Sequence, residues 1–371
     1  MMHNNRIKLL KQKKRFDIWI VIIPILLSLF GILMIYEASN VSAFKDFGDK
    51  YHYVKEQLLS FAIGIVVLVS ISILPYRKYY TLSVPLMFFC IISLIAVFIP
   101  GIGIKAYGAS RWISLKFINF QPSELTKLVL VLYLSSWLSS KERGRFIAFL
   151  VLVMVIVGLI IIQPDLGTAI VLTTILLTIY FLSEAPLWHF FILIPLFTGI
   201  SIILAIISPY RFQRLTTFLN PNFDPLGSSY HIRQILISLG SGGLFGLGLG
   251  SSIQKYQFLP EATTDSIFAI IGEEFGFVGG FILISIYLIF LYKIYKITRN
   301  APDKLSFLLS GGLMAYFGFQ TIVNLGSMVT LFPLTGVPLP FISYGGSNLI
   351  ISLIGVGVII NISKYAINKD R

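Results

Sequence analysis

Ten long apolar stretches follow one another along this chain, most of them separated by short polar gaps. Each comes close to the roughly 20 residues that an α-helix needs to cross about 30 Å of hydrocarbon. Lipid offers no partner to an unpaired backbone amide, so segments of this kind are expected to be helical. The predicted spans are residues 18–36, 57–75, 80–100, 123–140, 145–163, 167–185, 188–208, 266–292, 305–331 and 345–364.

The composition supports a membrane protein. Hydrophobic residues make up 56% of the chain and charged residues only 12%, whereas a soluble domain is about 25% charged. We therefore predict an all-α polytopic membrane protein with about ten transmembrane helices and a large extracytoplasmic loop between helices 7 and 8. Residues 1–16 are predicted to form a basic cytoplasmic tail, and residues 17–371 a single membrane domain. The weakest boundary is the short polar break at 163–165, where a merged pair of spans would invert the second half of the topology.

The distribution of charge orients the chain. Most of the 29 Lys and Arg residues lie in the N-terminal tail, three short loops and the C-terminus, so the positive-inside rule places both termini in the cytoplasm. The net charge of +13 is explained by these flanks of membrane spans and by anionic lipid headgroups, and we expect no nucleic-acid partner. The single cysteine, Cys90, excludes a disulfide framework.

Acidic residues cluster in one otherwise apolar segment on the predicted outer face. Glu261 and Asp265 lie at its mouth, and Glu273 and Glu274 lie roughly 12–14 Å deeper along a helix. Carboxylates are costly in hydrocarbon and are kept there mainly for function. Asp265 is a candidate for chemistry, although it could equally cap the first helical turn. Glu273 and Glu274 are too deep for a cap and are predicted to be buried partners, with Lys127 as a candidate.

Other charged residues allow two interpretations each. Arg111, Trp112 and Lys116 mix with apolar residues in the segment 105–127, which suggests an amphipathic re-entrant element that either anchors at the interface or contacts a ligand. Glu124 and Lys127 share one helix face and can neutralise each other.

Two further features are equally open. Asp165 could pair with Glu124 and Lys127 across the bundle or cap its own helix. The glycine-rich run at 240–250 could cradle a phosphate or form a tightly packed loop.

Six motifs occur together in one order and spacing. They are GASRWI (108–113), QPSELTK (121–127), QPDLGTA (163–169), NPNFDPLGSSY (220–230), LPEATTDSIFAIIGEE (259–274) and PLPFISYGGS (338–347). In this order the chain, from residue 16 onward, resembles the SEDS family, which includes FtsW, RodA and SpoVE.

The resemblance implies a peptidoglycan glycosyltransferase for cell division or elongation, closer to the FtsW branch. Such an enzyme polymerises lipid II, an undecaprenyl-pyrophosphate-linked disaccharide peptide, at the outer face of the bacterial cytoplasmic membrane. The family's essential aspartate falls on Asp265 and its loop tryptophan on Trp112, while Arg111, Glu124, Lys127 and Asp165 match polar positions of its central cavity. The implied partners are a class B penicillin-binding protein and other divisome or elongasome proteins.

The residues suit this chemistry. Asp265 is the predicted general base that takes the proton of the attacking sugar hydroxyl. Glu261 is predicted to contact substrate, and the departing diphosphate is predicted to meet Arg111, Lys116, Arg233 or a divalent cation such as Mg²⁺ or Mn²⁺.

Two positions depart from the family pattern. Ser266 replaces a usual phenylalanine and His231 a usual glutamine, so contacts with the acceptor sugar are expected to differ. The alternative functions are a lipid II flippase, for which the intramembrane charges would form a polar path, and a non-enzymatic scaffold of the division machinery.

Overall fold

A computed structural model describes residues 17–106, 109–114, 119–140, 144–220, 224 and 227–366. The predicted basic tail, residues 1–16, lies outside this part of the chain. The described residues form twelve helices and one small sheet. The helices are α1 Trp19–Phe47, α2 His52–Ile73, α3 Lys78–Ala96, α4 Pro122–Ser139, α5 Phe146–Ile162, α6 Leu166–Leu182, α7 Trp188–Ile207, α8 Pro209–Leu219, α9 Tyr230–Ser241, α10 Ile267–Arg299, α11 Lys304–Met328 and α12 Gly346–Ser363. The strands are β1 Gly103–Ala106, β2 Ala109–Ser114 and β3 Asn119–Phe120.

Each of the ten predicted spans coincides with one helix. Seven of these helices (α1, α2, α3, α7, α10, α11 and α12) are long and apolar enough to cross a membrane, and α5 and α6 are apolar helices of 17 residues each. The predicted all-α polytopic membrane fold is therefore confirmed. The short break at 163–165 separates α5 from α6, so the two predicted spans are not merged.

α1 and α10 continue well beyond their predicted C-terminal ends. The prediction ended α1 at residue 36, but the helix continues to Phe47. Glu37, within this extension, pairs with Lys255 at 3.2 Å. α10 extends past residue 292 to Arg299, with Lys296 and Arg299 in its last turn, where the helix dipole favours cations.

The segment between α3 and α4 corrects a prediction. Instead of an amphipathic re-entrant element, its described residues form a three-stranded antiparallel sheet in the order β1-β2-β3. Trp112 in β2 is paired with Ile104 in β1, and Ile113 with Phe120 in β3. The segment is too short and too polar to span the membrane, so its backbone groups pair with one another.

The helices pack around α11 and α12. α12 lies along α2, while α11 contacts α4, α6 and α10. In the apolar 18-residue stretches of α11 and α12, 72% and 83% of the residues are buried. α7 packs mainly against α8, and only 6% of its apolar stretch is buried. A helix that is apolar on every face and unburied within its own chain is suited to contact with lipid.

The stretch 209–264, predicted as a long extracytoplasmic loop, contains α8 and α9 and then glycine-rich turns. These turns pack against a break in α10 at Gly276, where φ is +66°. The amides of Leu247 and Gly248 donate to the carbonyls of Glu273 and Glu274, which lack helical partners because of the break. Of the two interpretations of the glycine run, the structure shows the tightly packed loop.

Candidate functional site

Asp265 lies in the turn immediately before α10 and is only 8% exposed. It does not cap the helix, because the N-cap residue is Ser266 and no side chain makes a capping hydrogen bond there. Burial raises the pKa of Asp265 above its usual value, and a hydrogen bond from Thr264 and the positive charge of Arg214 oppose this shift. A carboxylate that burial makes more basic is better suited to accept a proton near neutral pH.

Thr264 joins Asp265 to the other acid of the outer segment. Its hydroxyl lies 3.2 Å from Asp265 Oδ1 and 2.9 Å from Glu261 Oε2. A hydroxyl has one proton and donates to one acceptor at a time. The two carboxylates therefore share one donor, and Glu261 is the exposed member of the pair.

The backbone of Asp265 is fixed from the opposite side. Asn324, buried on α11, donates from Nδ2 to the carbonyl oxygen of Asp265 at 2.9 Å and to that of Val337 at 2.8 Å. Gly336 adjoins the carboxylate, since a Cβ at that position would lie 3.9 Å from Asp265 Oδ2. The segment after α11 thus forms one wall of the site, although the sequence suggested only a structural connection there.

A cavity of about 180 Å³ lies between α8 and α9 near this carboxylate. Arg214 is the positively charged residue that lines this cavity. The guanidinium donates to the Leu334 carbonyl at 2.8 Å and acts electrostatically on both Asp265 and His231. None of the residues that line the cavity is acidic: they are Gln213, Arg214, Thr217, Ser228, His231, Ile232 and Leu334. The cavity is suited to an anionic group.

His231 connects this cavity with the turn that carries Asp265. Its Nε2 lies 2.8 Å from the hydroxyl oxygen of Ser266, the residue after Asp265. Burial and the nearby Arg214 lower the pKa of His231 to about 4. The imidazole is therefore neutral at physiological pH.

The cations predicted to hold the diphosphate are placed differently. Arg111 donates to the carbonyls of Gln163 and Pro164 at the break between α5 and α6. Trp112 is half-buried in β2, and Arg233 is half-buried on α9. Lys116 lies outside the described residues. The cation that the structure brings near Asp265 is Arg214, which the sequence analysis did not single out.

The predicted pair of Glu124 and Lys127 is confirmed. Lys127 Nζ lies 2.8 Å from Glu124 Oε1, and both side chains are 1% exposed. Lys127 also donates to Gln320 Oε1 at 2.8 Å. Gln320 in turn donates to Asn348 Oδ1 and to the carbonyl of Pro338, so the pair is anchored to α11 and α12.

The other acids of the predicted cavity network lie in separate clusters. Asp165 accepts from the amide and the hydroxyl of Thr168, which confirms the interpretation as a helix cap. The predicted partnership of Glu273 and Glu274 with Lys127 is wrong. Glu273 accepts from Ser252 and Glu274 lies 3.8 Å from Lys255, because both point toward the segment that follows the glycine-rich turns.

A metal ion was the sequence-based alternative for holding the diphosphate. Within the described ranges, no group of three His, Cys, Asp or Glu side chains is arranged to hold one. Glu261 and Asp265 supply at most two carboxylates to the same place. A divalent cation held mainly by the substrate diphosphate stays a prediction, since Mg²⁺ commonly uses only one or two protein carboxylates.

Three residues of the site were missed from the sequence. Arg214 could have been found as a cation in the predicted outer loop, on amphipathic α8. Asn324 could have been found as a polar residue within an apolar span, α11. Gly336 has only its position between prolines and could be assigned no role from sequence. Each contacts the site across a large chain separation.

Comparisons with known proteins agree with the motifs. The family described as "Cell cycle protein" (FtsW, RodA, SpoVE) matches residues 17–368. The chain is 40% identical over 357 residues to the probable peptidoglycan glycosyltransferase FtsW of Coxiella burnetii, covering 94% of this chain and 96% of that protein. It is 39% identical over 358 residues to stage V sporulation protein E of Bacillus subtilis, with coverage of 94% and 97%.

Solved structures share the fold over nearly the same extent. A chain of a peptidoglycan synthase complex, described as coordinating polymerization and crosslinking, superposes with a TM-score of 0.76 at 27% identity, covering 94% of this chain and 97% of that one. The rod shape determining protein RodA of Thermus thermophilus superposes with a TM-score of 0.70 at 27% identity, covering 94% and 96%. The similarity therefore extends over nearly the whole length of both chains.

Proposed function

We infer that this chain, which belongs to the FtsW, RodA and SpoVE family of cell cycle proteins, is a peptidoglycan glycosyltransferase with Asp265 as its general base. The observation that carries the proposal is the placement of this carboxylate. It is nearly buried, its pKa is raised by burial, and it lies beside a cavity whose cation is Arg214.

The reaction joins two lipid-linked sugars. The hydroxyl oxygen of the acceptor sugar forms a bond to the anomeric carbon of the donor, and the bond from that carbon to the diphosphate oxygen breaks. The hydroxyl proton goes to Asp265, and the electron pair of the broken bond leaves with the isoprenoid diphosphate. The raised pKa strengthens Asp265 as a base in this step.

Arg214 is suited to the leaving group. Negative charge grows on the diphosphate as the bond breaks, and a fixed guanidinium stabilises such charge with directed hydrogen bonds. In the cavity the Gln213 amide adds a neutral donor, whereas the hydroxyls of Thr217 and Ser228 already donate to the Gln213 carbonyl and to Asp224. Arg214 therefore replaces Arg111, Lys116 and Arg233 as the proposed diphosphate ligand, while Glu261 contacts substrate at the exposed rim.

Location and partners follow from the same proposal. The substrate is lipid II, and the site faces the outside of the bacterial cytoplasmic membrane with both chain termini in the cytoplasm. Residues 17–371 act as one membrane domain. The crosslinking partner is a class B penicillin-binding protein, since a glycan polymer needs a second enzyme to join its peptides. The division role of FtsW-type proteins is favoured over elongation.

An assay with fluorescent lipid II tests the base assignment. The purified full-length chain, alone and with its penicillin-binding protein, is incubated with labelled lipid II, and the products are separated on a gel. Asp265→Asn is expected to abolish long glycan strands, a loss of about 10²-fold or more. Asp49→Asn is the matched control, because Asp49 lies in an outer loop and contacts Lys55. Long strands from the Asp265→Asn protein would show that another group is the base.

The same experiment separates the alternatives. A flippase would move labelled lipid II across vesicle bilayers without changing its covalent structure, and a scaffold would keep its cellular function after Asp265→Asn. The buried ion pair of Glu124 and Lys127 is the observation that favours transport. Its charges neutralise each other and are packed among buried residues, which suits helix anchoring better than a polar path.

A further inference from the structure

His231 makes an unusual connection within the site. It lies in the first turn of α9, lines the cavity that contains Arg214, and its Nε2 lies 2.8 Å from the Ser266 hydroxyl. Ser266 is completely buried and is bonded directly to Asp265 in the chain. One imidazole therefore contacts both the cavity and the residue beside the proposed base.

The imidazole also lies near the other end of this turn. The carbonyl of Pro260, at the start of the segment that ends at Ser266, acts on the pKa of His231. A neutral imidazole carries one proton and one lone pair, so Nε2 either accepts the Ser266 hydroxyl proton or donates to the hydroxyl oxygen. The low pKa of His231 keeps the ring in this neutral form.

The other side-chain hydrogen bonds around Asp265 do not restrain the chain where it enters α10. Asn324 fixes the Asp265 carbonyl, and Thr264 bonds its carboxylate. The first turn of α10 has no side-chain cap. Among the described residues, the hydrogen bond between His231 and Ser266 therefore restrains the chain between Asp265 and α10.

We infer that His231 is a positioning residue for Asp265, acting through Ser266. This inference rests on the proposed role of Asp265 as the base. The neutral ring aligns the carboxylate with the acceptor hydroxyl, and it does so from the wall of the cavity that takes the diphosphate. A misaligned base slows proton transfer without weakening the hold on the substrate.

Steady-state kinetics with labelled lipid II test the inference. Ser266→Ala removes only the hydroxyl, and His231→Leu removes the imidazole nitrogens. Each is expected to lower kcat about tenfold, the effect of one net hydrogen bond, with KM changed less than about twofold. The double variant is expected to be no worse than either single variant, because both remove the same bond. His231→Gln retains a side-chain amide and is expected to keep most of the activity.

A second histidine provides a matched control. His189 Nδ1 lies 2.7 Å from the hydroxyl of Tyr180, far along the chain from the site. His189→Leu also removes a buried bond between an imidazole and a hydroxyl, and it is expected to lower thermal stability while leaving kcat unchanged. If the His231 variants behave like His189→Leu, or if the two site effects multiply to about 100-fold, the inference is overturned.

The outcomes separate this inference from the proposed function. If the Asp265→Asn protein keeps its activity, the assignment of Asp265 as the general base is wrong. Loss of activity in Asp265→Asn together with normal kcat in Ser266→Ala and His231→Leu leaves the base in place and rejects the positioning role of His231.

Discussion

Replacing Lys127 with methionine removes one charge of a fully buried ion pair. Glu124 Oε1 then loses its cation, and Oε2 already has no hydrogen-bond partner among the described residues. Gln320 loses a donor as well. Removing one partner of a buried pair costs roughly 3–5 kcal/mol, and we expect a loss of this size in the free energy of unfolding.

A double variant distinguishes the effect of the lost charge pairing from the effect of altered side-chain packing. Lys127→Met with Glu124→Gln removes both charges and keeps similar volumes, so it is expected to be more stable than Lys127→Met alone, by about 2 kcal/mol or more. Denaturant titration of the purified protein in detergent, followed by intrinsic fluorescence, measures each variant.

The matched control is Lys55→Met. Lys55 contacts Asp49 at 2.7 Å, a distance as short as that of the buried pair, but its side chain is 69% exposed. Solvent screens such a pair, and no measurable change is expected. If Lys127→Met is as harmless as Lys55→Met, or if the double variant is the least stable of the series, burial is not what makes this pair essential.

The remaining predictions concern the outer face. Gly246→Ala is expected to lower the yield and thermal stability of the folded protein, because φ is +83° and a Cβ would lie 2.1 Å from the Glu274 carbonyl oxygen, whereas Gly240→Ala, with open space around it, is expected to be tolerated. Asp265→Asn is expected to raise stability at neutral pH. The folded protein binds the Asp265 proton more tightly than the unfolded chain, so wild-type stability falls as pH rises through the raised pKa, and the advantage of asparagine should vanish in thermal melts at pH values below about 3.8.

The spans were predictable because hydropathy and length act along one dimension of the chain. A run of about 20 apolar residues needs no knowledge of its neighbours to be assigned as a helix in lipid. The pairing of Glu124 with Lys127 and the cap at Asp165 were equally local, since each depends on residues three positions apart. These predictions required only helix geometry.

The contacts that build the site were not local. Asn324 reaches the carbonyl of Asp265 across 59 residues, and Lys255 reaches Glu37 across 218. No periodicity in the sequence indicates which helix faces which, so Glu273 and Glu274 were assigned to the wrong cation. The small sheet was missed for the same reason, because short strands are defined by their partners and not by their own pattern.

The same polar face of α11 connects the membrane interior with the reaction site. Gln320 and Asn324 lie four residues apart, one helical turn, and they donate to the carbonyls of Pro338 and Val337, which are consecutive in the chain. Gln320 accepts from Lys127, and Asn324 holds Asp265. Because these bonds share one helix, we expect a shift at the buried ion pair to move Asp265, the proposed base. A charge pair that touches no reacting atom is then expected to affect catalysis.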